Sequence, residues 1–180
     1  HCWDLYSGNK LWASEPSSWP WSTFGCYDVQ SAYGLLYSCQ YDGVVALDWN
    51  TGKNVWHFNP KTDYPYETPY QSNYPFFSQS WVADGKFYTF ANEHSISQPL
   101  FRGLRSYCVN ATTGEEIWSF ANFGQPLAIA DGYLIQTGCY DGYQYIIGKG
   151  KSKTTVSAPQ TAITKGQSVV LTGTVLDMSP

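Results

Sequence analysis

Charge is scarce in this chain of 180 residues: Asp, Glu, Lys and Arg make up 13% of it, and the formal balance is −4. That excludes the basic footprint with which proteins hold nucleic-acid phosphates. Cysteine is equally sparse. The 5 present are too few for a disulfide-built scaffold, and no Cys-x-x-Cys occurs, so neither a zinc-site spacing nor a covalent haem attachment is encoded. No apolar run approaches the ~18 residues of a helical membrane span. His1 falls inside a repeat, so any secretory leader is expected upstream of it. What the chain does have is rings and glycines: 18% aromatic residues and 16 Gly.

These are not scattered. Three times a Trp follows, at one fixed distance, the Gly that closes a small polar turn: Gly8 and Trp12, Gly52 and Trp56, Gly114 and Trp118. Each copy opens on an Asx residue (Asp4, Asp48, Asn110), whose side chain is expected to accept hydrogen bonds from its own turn amides. A second signal recurs between the copies, at Ala32-Tyr33-Gly34, Ala83-Asp84-Gly85 and Ala130-Asp131-Gly132, each followed by a β-rich run. A further turn comes next, at Asp42-Gly43, Arg102-Gly103 and Asp141-Gly142. The unit therefore reads as strand A, Gly turn, strand B, Gly turn, strand C, Gly turn, and strand D bearing the Trp. Four antiparallel strands in about 40 residues make a β-propeller blade. The repeat Trp is expected to be largely buried between neighbouring blades.

The run from Ala46 to Trp56, Ala-Leu-Asp-x-x-Thr-Gly-Lys-x-x-Trp, resembles the repeat of the PQQ-like, quinoprotein-type β-propellers, and the likeness extends over residues 1–148. Residues 149–153 resemble a linker, with Lys149, Lys151 and Lys153 solvated. Residues 154–180 resemble the start of an Ig-like β-sandwich, as in large archaeal cell-surface proteins. The expected fold class is thus all-β: a partial propeller of four-stranded antiparallel blades, the C-terminal part of a larger one, followed by the beginning of an Ig-like domain.

Insertions point to a working face. The interval between the second and third Trp exceeds that between the first and second, and the growth falls mainly in the D-to-A and B-to-C connections. In an antiparallel blade those two lie at one end, whereas the A-to-B and C-to-D turns lie at the other. The long connections carry Trp19, Trp21, Tyr64, Tyr66, Tyr70 and Tyr74 among prolines, together with Glu93, His94 and Arg102. These nine residues are the candidate binding face. Proline lowers the entropy of ordering such loops, and Tyr and Trp offer rigid amphipathic area to sugars or peptides. The competing reading makes the rings a structural plug.

Other candidates have plain explanations. Cys2 and Cys108 occupy a repeat slot that holds Ala46 in the middle copy, as befits a small buried strand position. Cys26 and Cys39 flank the Tyr33-Gly34 turn as diagonal neighbours, a long separation for a disulfide, and their redox state stays open here. Asn110-Ala111-Thr112 is a glycosylation sequon, although the repeat alone explains Asn110. Glu93-His94 is the one acid-His neighbour pair, but adjacent strand residues face opposite ways.

The expected function is a non-enzymatic scaffold, secreted or at the cell surface, acting in adhesion or assembly. Its expected partners are further blades or neighbouring subunits, glycans and surface proteins, with no nucleic acid. No cofactor is expected in this segment. Two alternatives come with the resemblance: a fragment of a PQQ-dependent dehydrogenase, which would use PQQ and calcium, or a peptide-binding envelope assembly factor. Many members of the quinoprotein family stack PQQ on a disulfide between adjacent cysteines, and this chain has no Cys-Cys pair.

Overall fold

A computed structural model describes residues 1–16, 28–60, 75–76, 79–91, 104–159 and 162–177. Their regular structure is all β. β1 (Cys2–Trp3) and β2 (Lys10–Trp12) form a two-stranded sheet. β3 (Val29–Ala32), β4 (Leu35–Gln40), β5 (Gly43–Asp48) and β6 (Asn54–Phe58) form a four-stranded sheet in chain order. β7 (Trp81–Ala83), β8 (Lys86–Phe90), β9 (Arg105–Asn110) and β10 (Glu116–Ala121) form another. β11 (Gly124–Ala130), β12 (Tyr133–Gly138) and β13 (Gln144–Gly148) make a three-stranded sheet, and β14 (Ser152–Ser157) pairs with β15 (Thr172–Asp177). Every pairing is antiparallel. The leading strands β3, β7 and β11 touch in sequence. The first four sheets are successive parts of a partial β-propeller.

The A-to-B hairpins turn in two residues. Tyr33-Gly34, Asp84-Gly85 and Asp131-Gly132 all have positive φ at both positions, the primed turn whose twist matches that of its strands. The C-to-D turns repeat one hydrogen-bond pattern. The Asp48 N–H donates to Lys53 O and the Gly52 N–H to Asp48 O, with the same pairs at Asp4 and Asn110. The Asx side chain completes the turn: Asp48 Oδ1 accepts from the Asn50 and Thr51 amides and the Thr51 hydroxyl, and Asn110 Oδ1 from the Thr112 and Thr113 amides.

The hydroxyls of Ser7 and Thr51, and then the amides, hold the Asp4 and Asp48 carboxyls below the usual carboxylate range. A depressed carboxylate stabilises the fold fully above its unfolded value, and that contribution is lost as pH falls through the lower folded value. Melting temperature should therefore fall below about pH 4. Because Asn110 builds the same turn without a charge, the double variant Asp4→Asn, Asp48→Asn should fold at neutral pH and lose less stability in acid. An unchanged acid slope in thermal melts would contradict this.

The core lies between the two four-stranded sheets. Tyr37, Ala46 and Phe58 face Phe87, Tyr107 and Val109 and are buried with them. Tyr37 stacks on Phe87 at 5.1 Å, and Phe58 meets Tyr107 edge-on at 5.3 Å. The buried Tyr37 hydroxyl donates to Ala111 O across the interface at 3.1 Å. Burial pushes its phenol up to about 12.

The repeat Trp residues are largely covered, as the pattern suggested, though none is fully buried. Two of the rings rest on turns of the next sheet. Trp12 lies over Gly52 of the next sheet and donates its indole N–H to Trp49 O at 3.1 Å, and Trp56 does the same over Gly114 to Ala111 O at 3.2 Å. Each of these two indoles thus rests on a turn of the next sheet. The approach needs a glycine: a Cβ at Gly114 would sit 2.8 Å from Trp56 Cδ2. Register shifts by a residue just before each Trp, which leaves Leu11, Val55 and Ile117 exposed on bulges.

The small slot has its reason in the same pairing, since Cys2, Ala46 and Cys108 lie directly opposite Trp12, Trp56 and Trp118. Burial pushes the Cys108 thiol up to about 12, which leaves almost no thiolate at neutral pH. Cys39 is buried, and Cys26 lies outside the described residues.

After β13 the chain forms the β14–β15 hairpin, in which every described side chain is exposed. β14 opens at Ser152, inside the stretch read as linker, and residues 167–171 precede β15 without strand structure. Two exposed strands bury no sandwich core.

Candidate functional site

The D-to-A and B-to-C connections all leave the same end of the sheets. β6 ends and β7 begins there, as do the end of β8 and the start of β9, whereas the Gly turns at Gly8, Gly34, Gly52, Gly85, Gly114 and Gly132 close the opposite end. The Trp49 N–H donates to Gly34 O and the Ala111 N–H to Gly85 O, joining the two turn classes at that second end. The nine candidate residues fall on residues 17–27, 61–74 and 92–103: Trp19, Trp21, Tyr64, Tyr66, Tyr70, Tyr74, Glu93, His94 and Arg102 lie outside the described residues.

The described anchors show what the loops stand on. Phe76, from the ring-rich connection between β6 and β7, is fully buried. It packs against Phe58 at 6.3 Å and Tyr107 at 5.6 Å, and its N–H donates to Gln40 O. At least this ring of the loop is a plug. Beside it, Ser80 donates both its amide and its hydroxyl hydrogen to Asp28 Oδ2, tying the leading strands of two blades together. Farther round, the Leu104 N–H donates to the Tyr140 hydroxyl at 3.3 Å, and Gln136 Nε2 to Ser106 Oγ. The Tyr145 hydroxyl donates to Asp141, which holds that carboxyl below the usual range and raises the phenol. His57 Nε2 lies 3.4 Å from Asp42 Oδ1 on the outer side.

Most of these contacts had no signal in the sequence. Asp28 aligns with Gln79 and Pro126 in the following blades, so its bond to Ser80 belongs to one blade junction and not to the repeat. The same holds for Trp81, whose indole N–H donates to Pro126 O at 3.3 Å.

The geometry suits a rigid platform. Among the described residues no three His, Cys, Asp or Glu side chains converge to hold a metal, and Asp4, Asp48 and Asn110 sit on three different blades. A shallow hollow of about 280 Å³, lined by Ser31, Tyr33, Leu35 and Trp49, opens at the Gly-turn end, away from the long loops. Asn110 is only partly exposed, and its Oδ1 is committed to the turn.

No protein-family model and no curated protein matches the chain. Among solved structures it is similar to the computationally designed Ika8 protein, with a TM-score of 0.55 at 13% identity over 81% of this chain and 38% of that one. It is also similar to a europium-containing methanol dehydrogenase, with a TM-score of 0.39 at 20% identity over 54% of this chain and 15% of that one. A third similar structure is BamB from Moraxella catarrhalis, with a TM-score of 0.38 at 15% identity over 65% of this chain and 34% of that one. The last two are β-propeller proteins. At these identities the likeness concerns the fold alone, and the chain spans well under half the length of each structure.

Proposed function

We propose that this chain is a non-enzymatic propeller scaffold, secreted or held at the cell surface, that works in adhesion or assembly through its loop-bearing end. One observation carries the reading: the topology directs all the long, ring-rich connections to one end of sheets locked together by buried rings and Trp-on-Gly contacts. Loops on a rigid support are where binding residues concentrate. The ligands that fit Tyr, Trp and Pro in such loops are glycans and extended peptides. Export is supported by the resemblance of the repeat. No described helix is long and apolar enough to cross a membrane. The segment 154–180 belongs to this proposal as the start of an Ig-like module.

A glycan array and immobilised surface proteins test the binding face. The double variant Tyr66→Ala, Tyr70→Ala should lose attachment while keeping the circular dichroism of the parent. Equal attachment by the variant would sink the assignment. The enzyme reading has its own test. Supplied with PQQ and calcium, the purified chain should retain no quinone through gel filtration and oxidise no alcohol or sugar in a dye-linked assay. Stoichiometric retention with turnover would overturn the non-enzymatic reading.

A further inference from the structure

We propose that the turn from Gly138 to Tyr143 is a binding site for a tryptophan side chain of an extended partner peptide. The backbone of this turn repeats that of the Asp48 and Asn110 turns. The Gly138 N–H donates to Tyr143 O at 2.7 Å and the Gly142 N–H to Gly138 O at 2.8 Å, the same two bonds that close the Asp48 turn. Gly142 also takes the same left-handed φ, +75 beside +69 at Gly52 and +78 at Gly114.

Twice in this molecule such a turn seats an indole. The Trp12 ring lies over Gly52 and donates its N–H to Trp49 O, and the Trp56 ring lies over Gly114 and donates to Ala111 O. The acceptor is each time the second residue of the turn, and the glycine is the fifth. Both indoles project from extended strands, β2 and β6. In the Gly138 turn the corresponding groups are Cys139 O and Gly142, and the space over Gly142 is open: an added Cβ would meet no described atom within 4 Å. Gly8 is open as well, but its turn lies at the end where the repeat places its own Trp residues. The Gly142 turn joins β12 to β13, so it stands at the loop-bearing end, where no strand D delivers a repeat Trp.

The side chains of this turn suit an aromatic guest. Where the other copies carry Asn50 and Lys53, or Thr112 and Glu115, this one carries Tyr140 and Tyr143, which are 41% and 70% exposed. Such rings give an indole offset or edge-on contacts. They are also held in advance. The Tyr140 hydroxyl accepts the Leu104 N–H, and its ring packs on Phe123 at 5.8 Å. Asp141 Oδ1 accepts the Tyr143 N–H at 3.0 Å, and Oδ2 accepts the Tyr145 hydroxyl. A site ordered before binding loses less entropy when it is filled. Trp suits the place better than Phe, because a phenyl ring would cover Gly142 but bring no donor to Cys139 O.

The probe is a copy of a segment that already seats its ring: the peptide Asn-Val-Trp-His-Phe, the sequence of residues 54–58, carrying fluorotryptophan. Titrated with the full chain, its fluorine resonance should shift and saturate with a dissociation constant of roughly 1 mM or tighter. The unlabelled peptide should displace it, and the Trp56→Ala peptide should not. Gly142→Ala in the chain places a methyl group in the seat and should weaken binding about tenfold, whereas Gly8→Ala should leave it unchanged. If Gly142→Ala loses the parental circular dichroism, Tyr143→Lys decides, with a loss of about threefold expected from the missing ring. The turn is separate from the ring-rich connections, so Tyr66→Ala, Tyr70→Ala should leave the peptide affinity unchanged whatever it does to surface attachment. The proposal is overturned by an absence of saturable shift, by displacement with the Trp56→Ala peptide, or by full affinity in a folded Gly142→Ala chain. Unchanged affinity in Tyr143→Lys when that variant decides, or affinity lost in Gly8→Ala or in Tyr66→Ala, Tyr70→Ala, would overturn it equally.

Discussion

Replacing Phe76 with alanine should destabilise the chain by about 3–5 kcal/mol, the usual cost of emptying a fully buried aromatic site. The ring is sealed between Phe58 and Tyr107, and the sheets around it are tied by their own hydrogen bonds, so the site has little room to collapse. A protein of this size shifts its melting temperature by roughly 2–4 °C per kcal/mol, which makes the effect on the order of 10 °C. The comparison that matters is with Tyr66→Ala, Tyr70→Ala on the same connection. If those rings serve binding, that variant melts close to the parent while attachment fails. A loss approaching that of Phe76→Ala would show that the whole loop is a plug and that the binding face must be sought elsewhere.

Much of the fold was legible because its devices repeat. Tyr33-Gly34, Asp84-Gly85 and Asp131-Gly132 announce two-residue hairpins through the residues a primed turn demands, and the structure gives each the required positive φ. The small slot at Cys2, Ala46 and Cys108 could be aligned but not explained until each was found facing a Trp. The bulge before each Trp was invisible. A bulge is a backbone event with no composition of its own, and simple alternation gives no hint that Val55 turns outward beside Trp56. The partners of Trp12 and Trp56 could not be read for a related reason: they are turns on the next blade, set by assembly and not by local pattern. For the candidate site, connection lengths and antiparallel topology were enough to say which end bears the long loops. Contacts specific to one junction, such as Ser80 to Asp28, leave no repeat to read.

Gly52→Ala and Gly114→Ala should each cost markedly more than Gly8→Ala, although all three glycines close the same turn at nearly the same φ of +69, +78 and +70. A left-handed conformation charges any L-residue about 1–2 kcal/mol, and that part is common to the three. What differs is the ceiling. At Gly8 an added Cβ meets nothing within 4 Å, whereas at Gly52 and Gly114 it runs into the indole of Trp12 or Trp56. The ring would have to lift, giving up its contact with the turn and the N–H bond to Trp49 O or Ala111 O. Loss of such a bond adds about 1 kcal/mol, and lost ring packing adds a comparable amount. Gly8→Ala should therefore cost about 1–2 kcal/mol and the other two roughly twice that. Denaturant melts of the three variants measure the difference directly, and Trp fluorescence should shift to the red only at Gly52 and Gly114. Equal costs across the three would mean that the indoles yield without penalty, and that the blades are held by the buried Tyr37, Phe58 and Phe87 faces alone.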